Sequence, residues 1–205
     1  MKGFITSLCL FAALGFVSCD ENARLAKSIQ GSWSGTPENF TDNSVVTATI
    51  LETIDFADMP DAVAPGSNGG EVVIAGMISA STQVVASGDM AEPLTLTATA
   101  KSTVSGTWTV IDDDEVALAL DPTTLSVEVD PKTVVIEGNV LSGTVPQMDS
   151  IRPSVASSIS SSMQRALSTR YASFRHLDDV KVKGPLLKFE IGKIDYVFTR
   201  QGAAQ

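Results

Sequence analysis

Residues that could perform acid–base or nucleophilic chemistry are few in this chain. The only imidazole is His176, which lies near Asp178 in a segment of turn character. Serines are abundant, so a Ser-His-Asp set can be written down, but no Gly-x-Ser-x-Gly segment presents a nucleophile at a strand-to-helix turn. A lone histidine in a turn is typical of a surface or capping position. We therefore expect that the protein is not an enzyme, and we assign no catalytic residue.

Metal ligands are also scarce. The run Asp112–Glu115 is the densest acidic segment, but a Ca²⁺ site needs about six to eight oxygens from several segments. The run lacks the spaced aspartates and the glycine of a calcium-binding loop, and aspartates favour turns, so a solvated hairpin turn is the favoured interpretation. One His and two Cys are too few for a His/Cys zinc site or a disulfide framework. We expect no metal and no cofactor.

The charge balance excludes another class of function. The chain has 205 residues, with 14 Lys and Arg against 24 Asp and Glu, and a formal net charge of −10. Nucleic-acid binding relies on a surplus of basic residues facing phosphates, so a free-standing nucleic-acid binder is excluded. A hydrophobic content of 43 % also rules out a disordered acidic tail. The length suits one domain or two small ones.

The first eighteen residues have the pattern of an export signal. Lys2 supplies the positive charge, and the uncharged apolar segment 4–17 is too short for a comfortable transmembrane span. The segment Phe16-Val17-Ser18-Cys19 resembles a lipobox. The resemblance implies that residues 1–18 are removed and that Cys19 is acylated, which leaves the protein attached to a membrane. An ordinary signal peptide with an incidental cysteine is the alternative.

The lipobox interpretation implies a place in the cell envelope. We expect the protein at the outer membrane, with the periplasmic and the surface face both open. Cys9 leaves with the signal, so the mature chain keeps no free thiol. Residues 19–30 are expected to be a linker with a short helix, because Leu25 and Ile29 are four residues apart. Residues 31–201 are expected to form a single domain.

That domain shows the two-residue alternation of half-buried strands. The clearest segment is 94–101, where Leu and Ala alternate with Thr and Lys. The segments with this alternation are 45–56, 94–101, 116–120, 125–129, 187–191 and 194–200. Asp121-Pro122 and Asp130-Pro131 each begin a type I turn, and Gly192-Lys193 has the length of a hairpin turn. Short connections of this kind favour neighbouring antiparallel strands.

One segment has a different period. Apolar residues recur at every fourth position from 151 to 171, which predicts a long amphipathic helix at about 151–174. The stripe consists of Ile151, Val155, Ile159, Met163, Leu167 and Tyr171. Because the opposite face is rich in serine rather than in Lys or Arg, the helix is expected to cover a barrel or a sheet rather than lie on a membrane.

Gly31-Ser32-Trp33 near the start of the domain and Arg200 in the last strand resemble the lipocalin and calycin superfamily. In that superfamily a Gly-x-Trp packs under the barrel, and an arginine from the final strand covers the indole ring. The resemblance implies an antiparallel up-and-down barrel in which Gly31, Trp33 and Arg200 join the chain ends. It also extends to lipocalin-like lipoproteins of gut-type Gram-negative bacteria. A β-sandwich with both tryptophans in its core is the alternative fold.

Two function classes are compatible with such a barrel. The first is a lipid-anchored module that binds a small hydrophobic ligand inside the barrel. The inward ligand-binding candidates are Ile50, Ile54, Leu96, Leu118, Leu120, Val127, Phe189, Tyr196 and Phe198. The second is a structural or interaction protein with a solid core, which would contact an envelope partner through loops such as 58–70. A cavity of a few hundred Å³ that opens at one end of the barrel favours the first class, and an interior filled by side chains favours the second.

Overall fold

The computed structural model describes residues 21–42, 46–58, 68–84, 94–137 and 145–202. The proposed signal 1–18, Cys19 and most of the loop 58–70 therefore lie outside the described residues. Helix α1 covers 21–29, and helix α2 is Val145–Tyr171. The strands are β1 (Gly31–Ser34), β2 (Glu38–Asp42), β3 (Val46–Phe56), β4 (Gly69–Val84), β5 (Leu94–Asp112), β6 (Glu115–Leu120), β7 (Ser126–Val129), β8 (Val135–Glu137), β9 (His176–Lys183), β10 (Leu186–Ile191) and β11 (Ile194–Arg200).

The strands form a closed antiparallel barrel. β1 pairs with β11, where Trp33 is opposite Arg200, and also with β3, where Trp33 is opposite Ile54. This double pairing completes a ring of eight strands, in which each strand is antiparallel to the next one along the chain. The expected up-and-down barrel with one long helix is confirmed, and the sandwich is excluded because a sandwich has open sheet edges.

The two Asp-Pro turns form, but neither of them reverses the chain as a hairpin turn would. β6, β7 and β8 all pair with β5, so they are three parts of one long strand that single 3₁₀ turns interrupt. In the first turn the Thr124 hydroxyl donates to the Asp121 carbonyl and accepts from the Ser105 amide of β5. Thr133 makes the equivalent contacts with Asp130 and β5. Each hydroxyl thus keeps the interrupted strand bonded to its neighbour.

Helix α2 packs against β7 and the second Asp-Pro turn. It begins at Val145 rather than at the expected 151, and Pro153 lies inside it. The second half of the predicted stripe is buried, whereas Ile151 is 45 % exposed. The helix lies along the free edge of β7, where the Ser160 hydroxyl and the Gln164 amide donate to backbone carbonyls at Val127 and Leu125. These bonds protect a strand edge that has no further strand beside it.

The barrel interior is filled by large side chains. Trp33 and Trp108 are fully buried, and Phe56 meets Trp108 edge to face with ring centroids 5.7 Å apart. A second aromatic group lies near the end of α2 and consists of Tyr171, Phe174, Phe189, Tyr196 and Phe198. The described part of the chain contains no helix that is both long and apolar enough to span a membrane.

Helix α1 covers one end of the barrel. Leu25, Ala26 and Ile29 are buried there, and the Trp33 indole donates to the Ile29 carbonyl at 2.7 Å. The predicted pair Leu25 and Ile29 does lie on the buried face. Helix α1 therefore closes this end of the barrel.

Candidate ligand-binding cleft

The candidate site is a gap in the barrel wall between the end of β6 and the last turn of α2. β9 pairs with β6 only at Val116 and Ala117. The residues 118–120 therefore have a neighbouring strand on one side alone, and the last turn of α2 and the connection 172–175 lie across from them. These elements border a space of about 510 Å³ that is open to solvent on one side, which we call the β6–α2 cleft. Its volume lies within the range of about 300–1,000 Å³ that is typical of small-molecule sites.

The inner part of the β6–α2 cleft is apolar. Buried side chains from β5, β6 and the segment before β7 form its base, together with two aromatic residues near the end of α2. These residues are Val104, Leu118, Leu125, Tyr171 and Phe174. Such a base would desolvate an aliphatic or aromatic ligand, and each buried CH₂ group contributes about 0.8 kcal/mol.

The rim of the β6–α2 cleft is polar. Ser168, Arg175 and His176 line it, and all three are exposed. The Leu118 amide donates to the Arg175 carbonyl at 2.8 Å. Alternate residues of a strand direct their amides to the same side, so the Leu120 amide also points toward the cleft, beyond the last residue paired with β9. The rim therefore offers several hydrogen-bond donors around an apolar base.

A polar layer lies inside the barrel, next to the cleft. Glu52 of β3, Gly76 of β4 and Ser102 of β5 are register partners in one row, and Glu52 and Ser102 are buried. A side chain at Gly76 would collide with the Ser102 hydroxyl and with Ile50, so glycine leaves the room that this layer needs. The hydroxyls of Ser102 and Tyr171 are buried and make no hydrogen bond of standard geometry.

Arg170 supplies the positive charge of this layer. Its guanidinium donates to both carboxylate oxygens of Glu52, at 3.1 and 2.6 Å, and to Glu38 at 2.8 Å. It also lies over the rings of Phe174 and Tyr196, at 5.3 and 5.9 Å from their centroids. Burial disfavours the charged guanidinium, but the hydrogen bonds and the negative charges of Glu52 and then Glu38 raise the pKa of Arg170 well above its ordinary value. The arginine therefore stays charged and ties α2 to β2 and β3.

Tyr171 connects the cleft with the polar layer. Its ring lines the β6–α2 cleft, while burial, followed by the nearby charge of Glu52, raises the pKa of its hydroxyl well above the ordinary value. The tyrosine therefore stays neutral in the folded protein. Tyr171 thus belongs to the apolar base of the cleft and also lies close to the buried ion pair of Glu52 and Arg170.

The predicted ligand-binding residues divide into two groups. Leu118 and Leu120 line the β6–α2 cleft. The others do not line it, and all of them are buried except the half-buried Leu96; they are Ile50, Ile54, Leu96, Val127, Phe189, Tyr196 and Phe198. The hairpin between β5 and β6 contains the acidic run 112–115. In the described part of the chain no group of three His, Cys, Asp or Glu could hold a metal.

The three residues expected at the chain ends lie together. The Arg200 guanidinium is 4.1 Å from the centroid of the Trp33 ring, and it donates to the carbonyls of Gln30 and Ser28 at 2.8 and 2.7 Å. Gly31 has a φ of +110°, and a side chain there would touch the same guanidinium. These contacts join β1, β11 and α1.

Sequence reasoning missed the residues that distinguish this site. Glu52 has an inward position in the alternation of β3, and a charge there was a signal of a buried partner. Tyr171 is the last residue of the predicted helical stripe and Arg170 precedes it, but only the structure shows that their polar groups lie near Glu52 of β3. Phe174 and Arg175 belong to a connection whose path no local pattern determines.

No protein-family model matches the chain, and no curated protein shows a significant match. The closed eight-stranded barrel is compatible with a lipocalin-like fold.

Proposed function

We propose that this chain is a lipid-anchored, lipocalin-like envelope protein that binds a small hydrophobic ligand in the β6–α2 cleft. The observation that carries the proposal is the cleft itself, which combines about 510 Å³ of space with a buried apolar base. The barrel fold is compatible with such a role. Binding without catalysis is proposed because no Gly-x-Ser-x-Gly segment in the sequence presents a serine nucleophile at a strand-to-helix turn.

The anchor is the second part of the proposal. Acylation of Cys19 would hold the protein at a membrane of the cell envelope, which we propose is the outer membrane. The lipobox-like segment supports this location. Replacing Cys19 by Ala should prevent acylation and release the protein from the membrane fraction, and retention in that fraction would contradict the anchor.

Binding can be tested with an apolar fluorescent probe, N-phenyl-1-naphthylamine. The full chain carrying Cys19→Ala serves as the parent, so that neither a detergent nor an acyl chain competes with the probe. The added variant Ala172→Trp places a large side chain at an exposed position of the cleft lining. Ser157→Trp places the same side chain on an exposed position of α2 away from the cleft.

We expect saturable binding to the parent and to the Ser157→Trp variant. The Ala172→Trp variant should lose at least about tenfold in affinity, which is roughly 1.4 kcal/mol. Absence of saturable binding to the parent, or equal binding to all three proteins, would contradict the proposal.

The filled interior of the barrel favours a second candidate function. Fully buried large side chains such as Trp33, Phe56, Trp108 and Phe189 leave little room at the barrel centre. A protein of this kind could be an accessory subunit or an inhibitor that contacts an envelope partner. Co-purification of a stoichiometric protein from native membranes, with no small molecule detected by native mass spectrometry, would favour this candidate.

A further inference from the structure

The polar groups at the rim of the β6–α2 cleft share one property. Arg175, His176 and Ser168 are the polar side chains of the rim, and none of the described residues that line the cleft is a carboxylate. This is unusual in a chain with a formal net charge of −10. A rim of this composition is complementary to a negative group rather than to a positive one.

The three rim side chains are also available. Among the described residues none of them has a side-chain hydrogen bond or an ion pair. Arg170 and Arg200, in contrast, are fully engaged in the contacts described above. A guanidinium without a partner can donate two parallel hydrogen bonds to a carboxylate or a phosphate.

Two nearby sources of negative charge have hydrogen-bond partners of their own. Asp121 follows the lining residue Leu120, but its carboxylate accepts from the amide and hydroxyl of Thr123 at 2.8 and 2.7 Å. The carbonyls of Ser168 and Tyr171 in the last turn of α2 accept hydrogen bonds from residues 172 and 174. The partial negative charge of the helix end is thereby reduced at the rim.

We propose that the β6–α2 cleft selects amphipathic anions, with the aliphatic part on the apolar base and the carboxylate or phosphate at the Arg175 guanidinium. The Leu120 amide, which points toward the same space, is a second donor for the anion. The inference rests on the proposed function, because it specifies the head group of the ligand bound in that cleft. Fatty acids and alkyl phosphates are the two sources of this chemistry.

Four ligands with the same ten-carbon chain separate the contributions of tail and head group. Decanoate, decyl phosphate, decanol and decylamine are each used to displace N-phenyl-1-naphthylamine from the Cys19→Ala chain. We expect the two anions to bind about tenfold more tightly than decanol. Decylamine should bind no more tightly than decanol. A stronger preference for decanoate or for decyl phosphate identifies which source is favoured.

Arg175→Gln and Arg165→Gln make the same change in charge at two positions. Arg165 is exposed on α2 and does not line the cleft, so it is the control. We expect Arg175→Gln to abolish the preference for anions without changing the affinity for decanol, whereas Arg165→Gln should change neither. High salt should also weaken the preference, because a rim charge is screened.

Two results would overturn the inference in different ways. If decanol binds as tightly as decanoate, or if the preference survives Arg175→Gln, the head-group selection is wrong while ligand binding stands. If neither the probe nor any of the four ligands binds, the proposed function fails, and the head-group inference fails with it.

Discussion

The buried ion pair between α2 and β3 gives a quantitative test of how the helix is held. Arg170→Met keeps most of the aliphatic side chain but removes the guanidinium that donates to Glu52 and Glu38. The Glu52 side chain is 4 % exposed and that of Arg170 is 18 % exposed, whereas Glu38 is 37 % exposed. The cost should therefore come mainly from the unpaired carboxylate of Glu52, with a small contribution from the contact with Glu38.

Removing one partner of a buried ion pair costs about 3–5 kcal/mol. Because the guanidinium is partly exposed, we expect the lower end, a loss of about 3 kcal/mol in the free energy of unfolding. For a chain of this size that loss lowers Tm by about 6–12 °C. Urea denaturation followed by circular dichroism measures the free energy, and a thermal scan measures Tm.

Two further variants make this test specific. Arg165→Met removes an exposed arginine from the same helix and should change stability by less than about 0.5 kcal/mol. A double variant with Glu52→Met and Arg170→Met removes both charges, so it should recover most of the loss. The reasoning is refuted if Arg170→Met costs no more than Arg165→Met, or if the double variant is less stable than Arg170→Met alone.

Three further outcomes follow from the described contacts. Arg200→Lys keeps a positive charge but loses the flat contact with Trp33, so urea denaturation should show that the free energy of unfolding falls by about 2 kcal/mol. A fall of less than about 0.5 kcal/mol would contradict the role of the stacked guanidinium. Thr124→Val removes the hydroxyl that bridges the first Asp-Pro turn to β5, so it should lower the free energy of unfolding by about 1 kcal/mol in the same assay. An unchanged free energy of unfolding would show that the strand pairing alone holds this junction. Burial raises the pKa of both Tyr171 and Tyr196, so the folded protein should show no tyrosinate absorbance as the pH passes about 10. Stability should fall above that pH, because only the unfolded chain ionises readily. Ionisation at the ordinary pKa in a protein that is still folded would be evidence against this burial.

The barrel was predictable because strand alternation is visible in local sequence, and because the Trp33 and Arg200 pair resembles a known pattern of barrel closure. Alternation along β3 and β5 follows directly from burial of one strand face. Trp33 and Arg200 are distant in sequence, yet their combination resembles a known way of closing a barrel, and the structure places them 4.1 Å apart.

The Asp-Pro turns show why strand order was harder to predict. The sequence Asp-Pro-x-Thr at 121–124 predicts a turn, and a turn is present. Whether the chain reverses there depends on which strand the residues after the turn pair with. That partner is β5, and no residue near the turn specifies it.

The cleft was only partly predictable for a similar reason. Leu118 and Leu120 were candidates because they alternate along β6. Arg175 was visible only as a charge next to His176, since its position at the rim depends on where β9 separates from β6 and where α2 ends. Both are properties of the tertiary arrangement.

The most direct test of the central claim is a methyl NMR titration of the Cys19→Ala chain with decanoate. Ligand binding in the β6–α2 cleft predicts saturable shifts at the methyl groups of Leu118, Leu120 and Leu125, with little change at Ile50 and Ile54 in the filled interior. Shifts centred on Ile50 and Ile54, or no saturable shift at any of these methyl groups, would contradict the claim.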